Sequence, residues 1–433
     1  MSSIDARDVT ADPTSTERLA TSGLEYRVVD LSDDTRSAAF QRAVDRGFLG
    51  AEPTGDMIAQ VTKTFAARRN IGVFEPDATD ATLPIATTNA WITPLTLPGG
   101  GEIDMWAISA VTVAATHRRR GIARALLEGE LRAAASAGVP VAGLTVSEAT
   151  IYGRYGFGSA IPVARLTVNT RRAGWGGATP PGRLEYVDRD TLAADLGTVH
   201  ERARRQVPGQ IPGWQGRWEG YSGVAPTPDR DQARGVRYLD EDGVLRGVLA
   251  YTVSEASGTF RFRMDVRLLV AETADARTAL WRFVLQHDLV DEVVADLRPL
   301  DDPLPWLVAD PRGVKQEVHD HGWLRILDLP AALTARGYSA PLDTVLRVED
   351  PLGFTAGDWR LRVDESGIAT VEEAHGGSAD IELDVSALSS LYAGGVRASS
   401  LHGAGRLTGD RAAIDAFDKA LVAFPSPSLD IWY

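Results

Sequence analysis

Two spacings of apolar residues alternate along this chain, and an element boundary is expected wherever one gives way to the other. The clearest case is residues 110–131, AVTVAATHRRRGIARALLEGEL. There an apolar run from Val111 through Thr112 to Val113 leads into the basic glycine turn Arg118-Arg119-Arg120-Gly121, and then into Ile122, Leu126, Leu127 and Leu131 on one helical face. A strand, a turn and a helix N-terminus are predicted in that order. Upstream, helical patterns cover residues 34–46 and 56–66. Strands are predicted at 70–74, 86–97 and 105–113, the last two separated by the hairpin break Leu97-Pro98-Gly99-Gly100-Gly101-Glu102. Downstream, residues 139–146 form a further apolar strand, which makes the whole an α/β unit.

A second unit is expected to begin near Arg183, after the loop 174–182. It has strands at 244–253 and 258–269 joined around Ala256-Ser257-Gly258, then a helix at 274–286 with Thr273 as N-cap. Arg267-Leu268-Leu269-Val270 and that helix repeat the plan of residues 110–131. Residues 271–279, however, contain no glycine and carry Glu272 and Asp275, so this copy is not expected to hold a pyrophosphate. A third unit follows Trp323-Leu324-Arg325-Ile326-Leu327-Asp328. Alternating residues at 345–348, 359–363 and 380–385 precede helical patterns at 386–392 and 410–421, an α+β plan. The tail, 424–433, carries two prolines and ends on Trp432 and Tyr433.

Composition narrows the classes of partner. With 433 residues and 44% hydrophobic content the chain has room for two to four domains. A net charge of −14 argues against nucleic acid and suits a cationic amine. The absence of cysteine excludes disulfides, thiolate metal sites and a cysteine nucleophile. The first 24 residues, polar and without an apolar core, are expected to be a disordered lead and not a signal peptide. With no run long enough to span a bilayer, a cytoplasmic protein is expected.

The basic turn has its own chemistry. The first amides of a helix lack intrahelical partners and the helix dipole adds positive character, so a phosphate group is the natural guest. Gly121 lets the backbone approach it, and the arginines supply charge. A solvated basic N-cap turn is the plain alternative. A P-loop is excluded because no Gly-Lys-Ser/Thr follows, and a dinucleotide fingerprint because only one of its glycines is present. The spacing Arg118-x-x-Gly121-x-Ala123 resembles the acetyl-CoA loop of the GNAT N-acetyltransferases. The segment Ile151-Tyr152-Gly153-Arg154-Tyr155-Gly156-Phe157-Gly158, about 30 residues beyond the turn, is similar to that of the enhanced-intracellular-survival (Eis) acetyltransferases.

The resemblance spans nearly the whole chain and implies tandem GNAT-like units followed by a sterol-carrier-like domain. The expected divisions are a lead at 1–24, an acetyl-CoA-binding GNAT domain at 25–170, a degenerate GNAT-like domain at 183–325 and a sterol-carrier-like domain with a catalytic tail at 326–433. It implies that Arg118, Arg119, Arg120, Gly121, Ile122 and Ala123 take the CoA pyrophosphate. Val111, Thr112 and Val113 would hold the pantetheine arm through their backbone, and Ser147 would add a further CoA contact. Tyr152 would act as general acid and the α-carboxylate of Tyr433 as base. Hexameric assembly is implied in the same way. An unperturbed tyrosine, with a pKa of about 10, remains protonated at neutral pH and available as an acid.

Each assignment has a structural alternative. Tyr152 and Tyr155 could be packing aromatics, Tyr433 a disordered end, and His117 a polar turn residue. His319-Asp320-His321, despite its metal-like spacing, is expected to be a loop with no metal. Residues 41–50, where Eis-type pockets place acids and aromatics, hold Asp45 between Arg42 and Arg46, followed by Phe48. The expected activity is acetylation of a primary amine on a cationic small molecule such as an aminoglycoside or polyamine. A lysine side chain is one alternative acceptor, and a non-catalytic ligand- or lipid-binding protein on the same scaffold is the alternative of another class.

Overall fold

The apolar runs of the N-terminal third become the strands of one sheet, with one face covered by the helix that follows the basic turn. The computed structural model describes residues 4–255 and 260–433, so the expected turn at Ala256-Ser257-Gly258 lies outside the described residues. The chain forms two compact units, one from Met1–Ala160, Gly322–Ala423 and Tyr433, the other from Ile161–His321 and Phe424–Trp432.

The first unit begins with α1 (Pro13–Ala20), β1 (Glu25–Val28), α2 (Asp34–Gly47), α3 (Gly55–Ala66), β2 (Arg69–Phe74), β3 (Ala86–Thr96) and β4 (Glu102–Val113). It continues through α4 (Ile122–Ser136), β5 (Val141–Thr145) and α5 (Ala149–Tyr152). Strands β1 to β5 lie side by side in chain order, antiparallel except for β4 and β5. A parallel pair needs a crossover, which α4 supplies, burying Leu127 and Leu131 against Trp106, Ile108, Ala142 and Leu144. The same core holds a fully buried ion pair: Arg69 Nε lies 3.1 Å from a Glu130 carboxylate oxygen, and Trp106 Nε1 donates to the other oxygen at 3.1 Å.

The lead expected to be disordered is ordered from Ile4 onward. Asp12 accepts from the Ser15 amide at 2.7 Å, capping α1, and pairs with Arg132 of α4 at 2.8 Å, while Leu19 is buried. Asp12-Pro13 is an N-cap followed by a proline at the first helical position, a local signal that outweighs the segment's polarity.

The second unit continues through β6 (Gly158–Asn169), α6 (Thr170–Ala173), β7 (Arg183–Val187), α7 (Arg189–Arg204), α8 (Gln215–Ser222), β8 (Arg234–Leu239) and β9 (Leu245–Glu255). It closes with β10 (Phe262–Ala271), α9 (Ala274–Leu285), β11 (Val290–Arg298), α10 (Leu304–Leu307) and β12 (Val314–Ile326). Its strands pair in the order β6-β11-β10-β9-β8-β7, and β10 and β11 are parallel with α9 between them, the plan of β4, α4 and β5 over again. Thr273 caps α9 as expected. The expected loop at His319-Asp320-His321 is instead strand. Charged residues at 315–320 mask the alternation of β12, whose last five residues, Gly322–Ile326, belong to the first unit and pair there with β5.

The remainder of the first unit comprises α11 (Leu329–Ala335), β13 (Leu342–Glu349), β14 (Gly357–Val363), β15 (Ala369–Glu373), β16 (Ile381–Asp384), α12 (Val385–Leu391), α13 (Ala398–Gly403), β17 (Leu407–Gly409) and α14 (Arg411–Leu421). A five-stranded sheet, β15-β14-β13-β16-β17, carries these helices. Arg336 is buried with no carboxylate partner among the described residues and donates to the carbonyls of Tyr392 at 2.7 Å and Leu421 at 2.6 Å, satisfying the C-terminal ends of α12 and α14. Arg325 of β12 meets Asp350 at 2.7 Å with both side chains fully buried. At the seam with α12, a Cβ on Gly158 would come within 2.1 Å of the Ser386 carbonyl oxygen.

Candidate active site

The parallel pairing of β4 and β5 runs only from Met105 opposite Val141 to Ala107 opposite Gly143, whereas β4 continues to Val113. The cause is a bulge: the β3–β4 register slips between Thr87 and Asn89, and Ala110 takes a φ of 51°. A bulge bends its strand, and here it turns β4 away from β5, leaving the β5-facing edge of β4 at Val111 and Val113 without a strand partner among the described residues. Both side chains are half-buried, so the backbone is what this edge offers. Thr112 is buried, its hydroxyl 2.7 Å from that of Thr87.

The basic turn follows directly. Asp12, Asp33, Thr54, Asp188, Thr273 and Asp410 cap α1, α2, α3, α7, α9 and α14 with their side chains, but at α4 the N-cap is Gly121, with a φ of 77° and no side-chain cap. The first amides of α4 are therefore open. Arg118 and Arg119 are exposed and have no carboxylate partner among the described residues. Arg120 lies 3.6 Å from Glu75, which also meets His117 at 3.2 Å. His117 thus anchors the turn to the end of β2. Ile122 is buried beneath the turn and Ala123 half-buried. Ser147, two residues past β5, is exposed at the same end of the parallel pair, where open α/β sheets hold their ligands.

On the sheet face opposite α4, cross-strand pairing lines up Trp91, Ala107, Gly143 and Leu324 in one row. The two small residues leave a trough between two large ones, and the ring of Tyr433 lies in it, edge-on to Trp91 with centroids 5.5 Å apart. A Cβ on Gly143 would meet the Met105 sulfur at 2.3 Å and the Tyr433 hydroxyl at 3.1 Å. Burial holds that phenol well above its ordinary pKa. The main-chain oxygen of Tyr433 accepts a 2.6 Å hydrogen bond from Thr145 Oγ1, at the last residue of β5. Arg68 stacks on Trp91, 3.6 Å from the ring centroid.

Tyr152 ends α5, seven residues beyond Thr145. It is buried, edge-on to Phe157 with centroids 6.1 Å apart, and its hydroxyl has no hydrogen-bond partner among the described residues. Burial, then the charge of Glu148, pushes that hydroxyl upward, so it holds its proton. Tyr155 is packed in the core with Leu127 and Leu131, its carbonyl taken by Arg325 Nε at 2.8 Å. Asp45 is half-buried near the end of α2, and burial and then Glu52 raise its pKa; Phe48 is exposed. Thr145, Gly143 and Trp91 escape sequence reading because only strand register brings them together. A glycine inside an apolar strand was their one local signal. Among the described residues no group of three or more His, Asp or Glu is placed to hold a metal, and no helix is long and apolar enough to cross a membrane.

Comparison with known proteins agrees with this architecture. The family description "Acetyltransferase (GNAT) domain" matches residues 29–160 and, separately, 212–326, and "Sterol carrier protein domain" matches 329–429. The N-acetyltransferase Eis of Mycobacterium tuberculosis is 36% identical over 327 residues, covering 72% of this chain and 76% of that protein. The chain belongs to the Eis family of GNAT N-acetyltransferases. An uncharacterized N-acetyltransferase of Streptomyces griseus is 33% identical over 90% of this chain and 94% of its own length. The structure of Eis1 from Mycobacterium abscessus matches with a TM-score of 0.78 at 29% identity, covering 94% of this chain and all of that one. A GCN5-related N-acetyltransferase from Anabaena variabilis, at 21% identity and a TM-score of 0.77 over 94% of this chain and 100% of that one, shares the fold. This Eis-family chain is an acyltransferase of two tandem GNAT domains and a sterol-carrier-like domain, and GNAT acetyltransferases use acetyl-CoA.

Proposed function

We propose that this Eis-family enzyme acetylates a primary amine of a cationic small molecule, with Tyr433 and Tyr152 as its base and acid. Acetyl-CoA, when bound, supplies the acetyl group as a thioester. Residues Arg118 to Ala123 would hold its pyrophosphate through the first amides of α4 and the guanidiniums of Arg118 and Arg119, Ser147 would add a contact, and the edge of β4 at Val111 and Val113 would pair with its amide-bearing arm. An attacking amine must lose a proton and a departing thiolate must gain one. In this reading the α-carboxylate of Tyr433 receives the first, directly after desolvation or through a water. Tyr152, kept protonated by burial, gives the second.

The observation that carries the proposal is the seating of Tyr433 in the trough of Ala107 and Gly143 with its main-chain oxygen on Thr145. A packing role alone would need only the ring. The net charge of −14 favours cationic acceptors, of which aminoglycosides and polyamines are the expected classes. The test is CoA-thiol release across aminoglycosides, polyamines and lysine peptides, repeated with Trp432 and Tyr433 deleted. Turnover with small polyamines that collapses on deletion supports the reading. Turnover unchanged by deletion removes Tyr433 as base, and preference for lysine peptides replaces the acceptor class.

A further inference from the structure

The second unit repeats the cofactor-side architecture of the first, including its bulge. As β4 slips register against β3, β10 slips against β9 between Val266 and Leu268. As β4 and β5 part early, β10 and β11 stop pairing at Val266 opposite Ala295, although β10 continues to Ala271 and β11 to Arg298. This second splay, however, is filled. Arg298 reaches across it, donating from Nη1 to the Leu269 carbonyl at 2.9 Å while pairing with Asp302 at 2.8 Å. The Thr273 hydroxyl occupies the first turn of α9, 3.2 Å from the Ala276 amide. Over the carboxyl ends of β10 and β11 lie Pro425, Ser426, Ser428 and Asp430 of the C-terminal segment, around a cavity of about 110 Å³.

That segment is fastened at successive residues. The Ser428 amide donates to the Pro208 carbonyl at 3.0 Å, and Asp430 Oδ1 lies 3.1 Å from His200 Nε2 with both side chains largely buried. His321 Nε2 donates to the Ile431 carbonyl at 3.1 Å, its ring edge-on to Trp432 at 4.4 Å, and Arg217 donates to the Trp432 carbonyl. Leu429 and Ile431, on either side of Asp430, are fully buried. A slip of one residue would set an apolar side chain against His200 and bury the Asp430 carboxylate without a partner, so the pair specifies one register.

We propose that the cofactor cleft of the second GNAT unit has become the seat of the chain's own C-terminal segment, with His200 and Asp430 as the positioning residues that fix its register. Two residues, Ile431 and Trp432, separate Asp430 from Tyr433, a span of roughly 11 Å at most. A shift at Asp430 is therefore passed to the chain end. The effect on catalysis rests on the reading of Tyr433 as base; the seat itself does not.

Two readouts on the full-length protein separate them. The first is release of Tyr433 by a carboxypeptidase, followed by mass spectrometry. Asp430→Ala and His200→Phe should each speed it by about tenfold or more, and His200→Gln, which keeps an N–H donor, should restore protection. Asp430 lies in the tail, so its variant remains informative if a change at His200 disturbs folding. The second is steady-state acetyl transfer. In both disrupting variants kcat should fall by about tenfold with KM for acetyl-CoA unchanged, and the fall should vanish in a background lacking Trp432 and Tyr433. Release at the wild-type rate in both variants overturns the seat. Faster release with unchanged kcat upholds the seat and overturns Tyr433 as base.

Discussion

Thr145 Oγ1 donates to the main-chain oxygen of Tyr433 at 2.6 Å and stands 3.4 Å from the same residue's N–H, so one hydroxyl meets both backbone groups of that residue. Thr145→Val keeps the shape and removes both contacts. A hydrogen bond to a charged group contributes about 1.5–3 kcal/mol, so kcat should fall roughly 10- to 100-fold while KM for acetyl-CoA stays constant. Steady-state kinetics with each substrate varied in turn checks this.

Tyr152→Phe removes the proposed proton donor and leaves the ring against Phe157. A loss in kcat of about 10²-fold is expected. Burial raises the hydroxyl's pKa, so the wild-type enzyme should show no alkaline loss assignable to this group below pH of about 10. A kcat–pH profile of both proteins measures it, and an unchanged turnover in Tyr152→Phe would contradict the assignment.

At the basic turn, Gly121→Ala meets open space but must hold a φ of 77°, which costs about 1 kcal/mol. Gly121→Asp adds a negative charge where an anion is expected, and should raise the dissociation constant for CoA by more than Gly121→Ala does. Arg118→Gln and Arg119→Gln should each weaken binding and flatten its dependence on salt. Calorimetric titration of CoA at two ionic strengths reads all four.

Burial would raise the pKa of Asp350, but Arg325 at 2.7 Å, helped by the amides of Leu352 and Thr355, holds it below the ordinary carboxylate range. The unfolded carboxylate therefore binds its proton at higher pH than the folded one. The stabilisation is complete above the unfolded value of about 4 and is lost as pH falls through the lower folded value. Asp350→Asn leaves Arg325 uncompensated and should cost about 3–5 kcal/mol at pH 7 in denaturant melts, a deficit that narrows towards pH of about 3.

His321 has the opposite ionic character and the same direction of loss. Burial lowers its pKa to about 4, the hydrogen bond to the Ile431 carbonyl opposing in part. Between about pH 6.5 and 4 the unfolded imidazole binds a proton that the folded one refuses, so stability declines with acidification, by about 3 kcal/mol in all. His321→Gln keeps a donor and removes the titration, and should flatten the unfolding midpoint over that interval.

What could be read from the sequence was local. The open turn at Gly121 and the Thr273 cap are properties of four or five consecutive residues, and both stand where the spacing puts them. Strands β3 and β4 begin or end within a few residues of their apolar runs. What was hidden depends on register or on competing polarity. The Thr145–Tyr433 bond joins residues 288 apart in sequence, and the trough of Ala107 and Gly143 exists only once four strands are aligned. Helix α7 shows a narrow apolar stripe of Leu192, Leu196 and Val199 among charges, and β12 shows almost none in its first half.

At Gly158 the sterol-carrier-like fold meets the GNAT fold backbone to backbone, with the space for even a methyl group taken by Ser386 and Ser390. Contacts between side chains can be renegotiated one substitution at a time, but this one cannot. Recombination that exchanged either module for a distant cousin would have to reproduce the joint to within a fraction of an ångström. The two folds should therefore be inherited together, as one piece of structure.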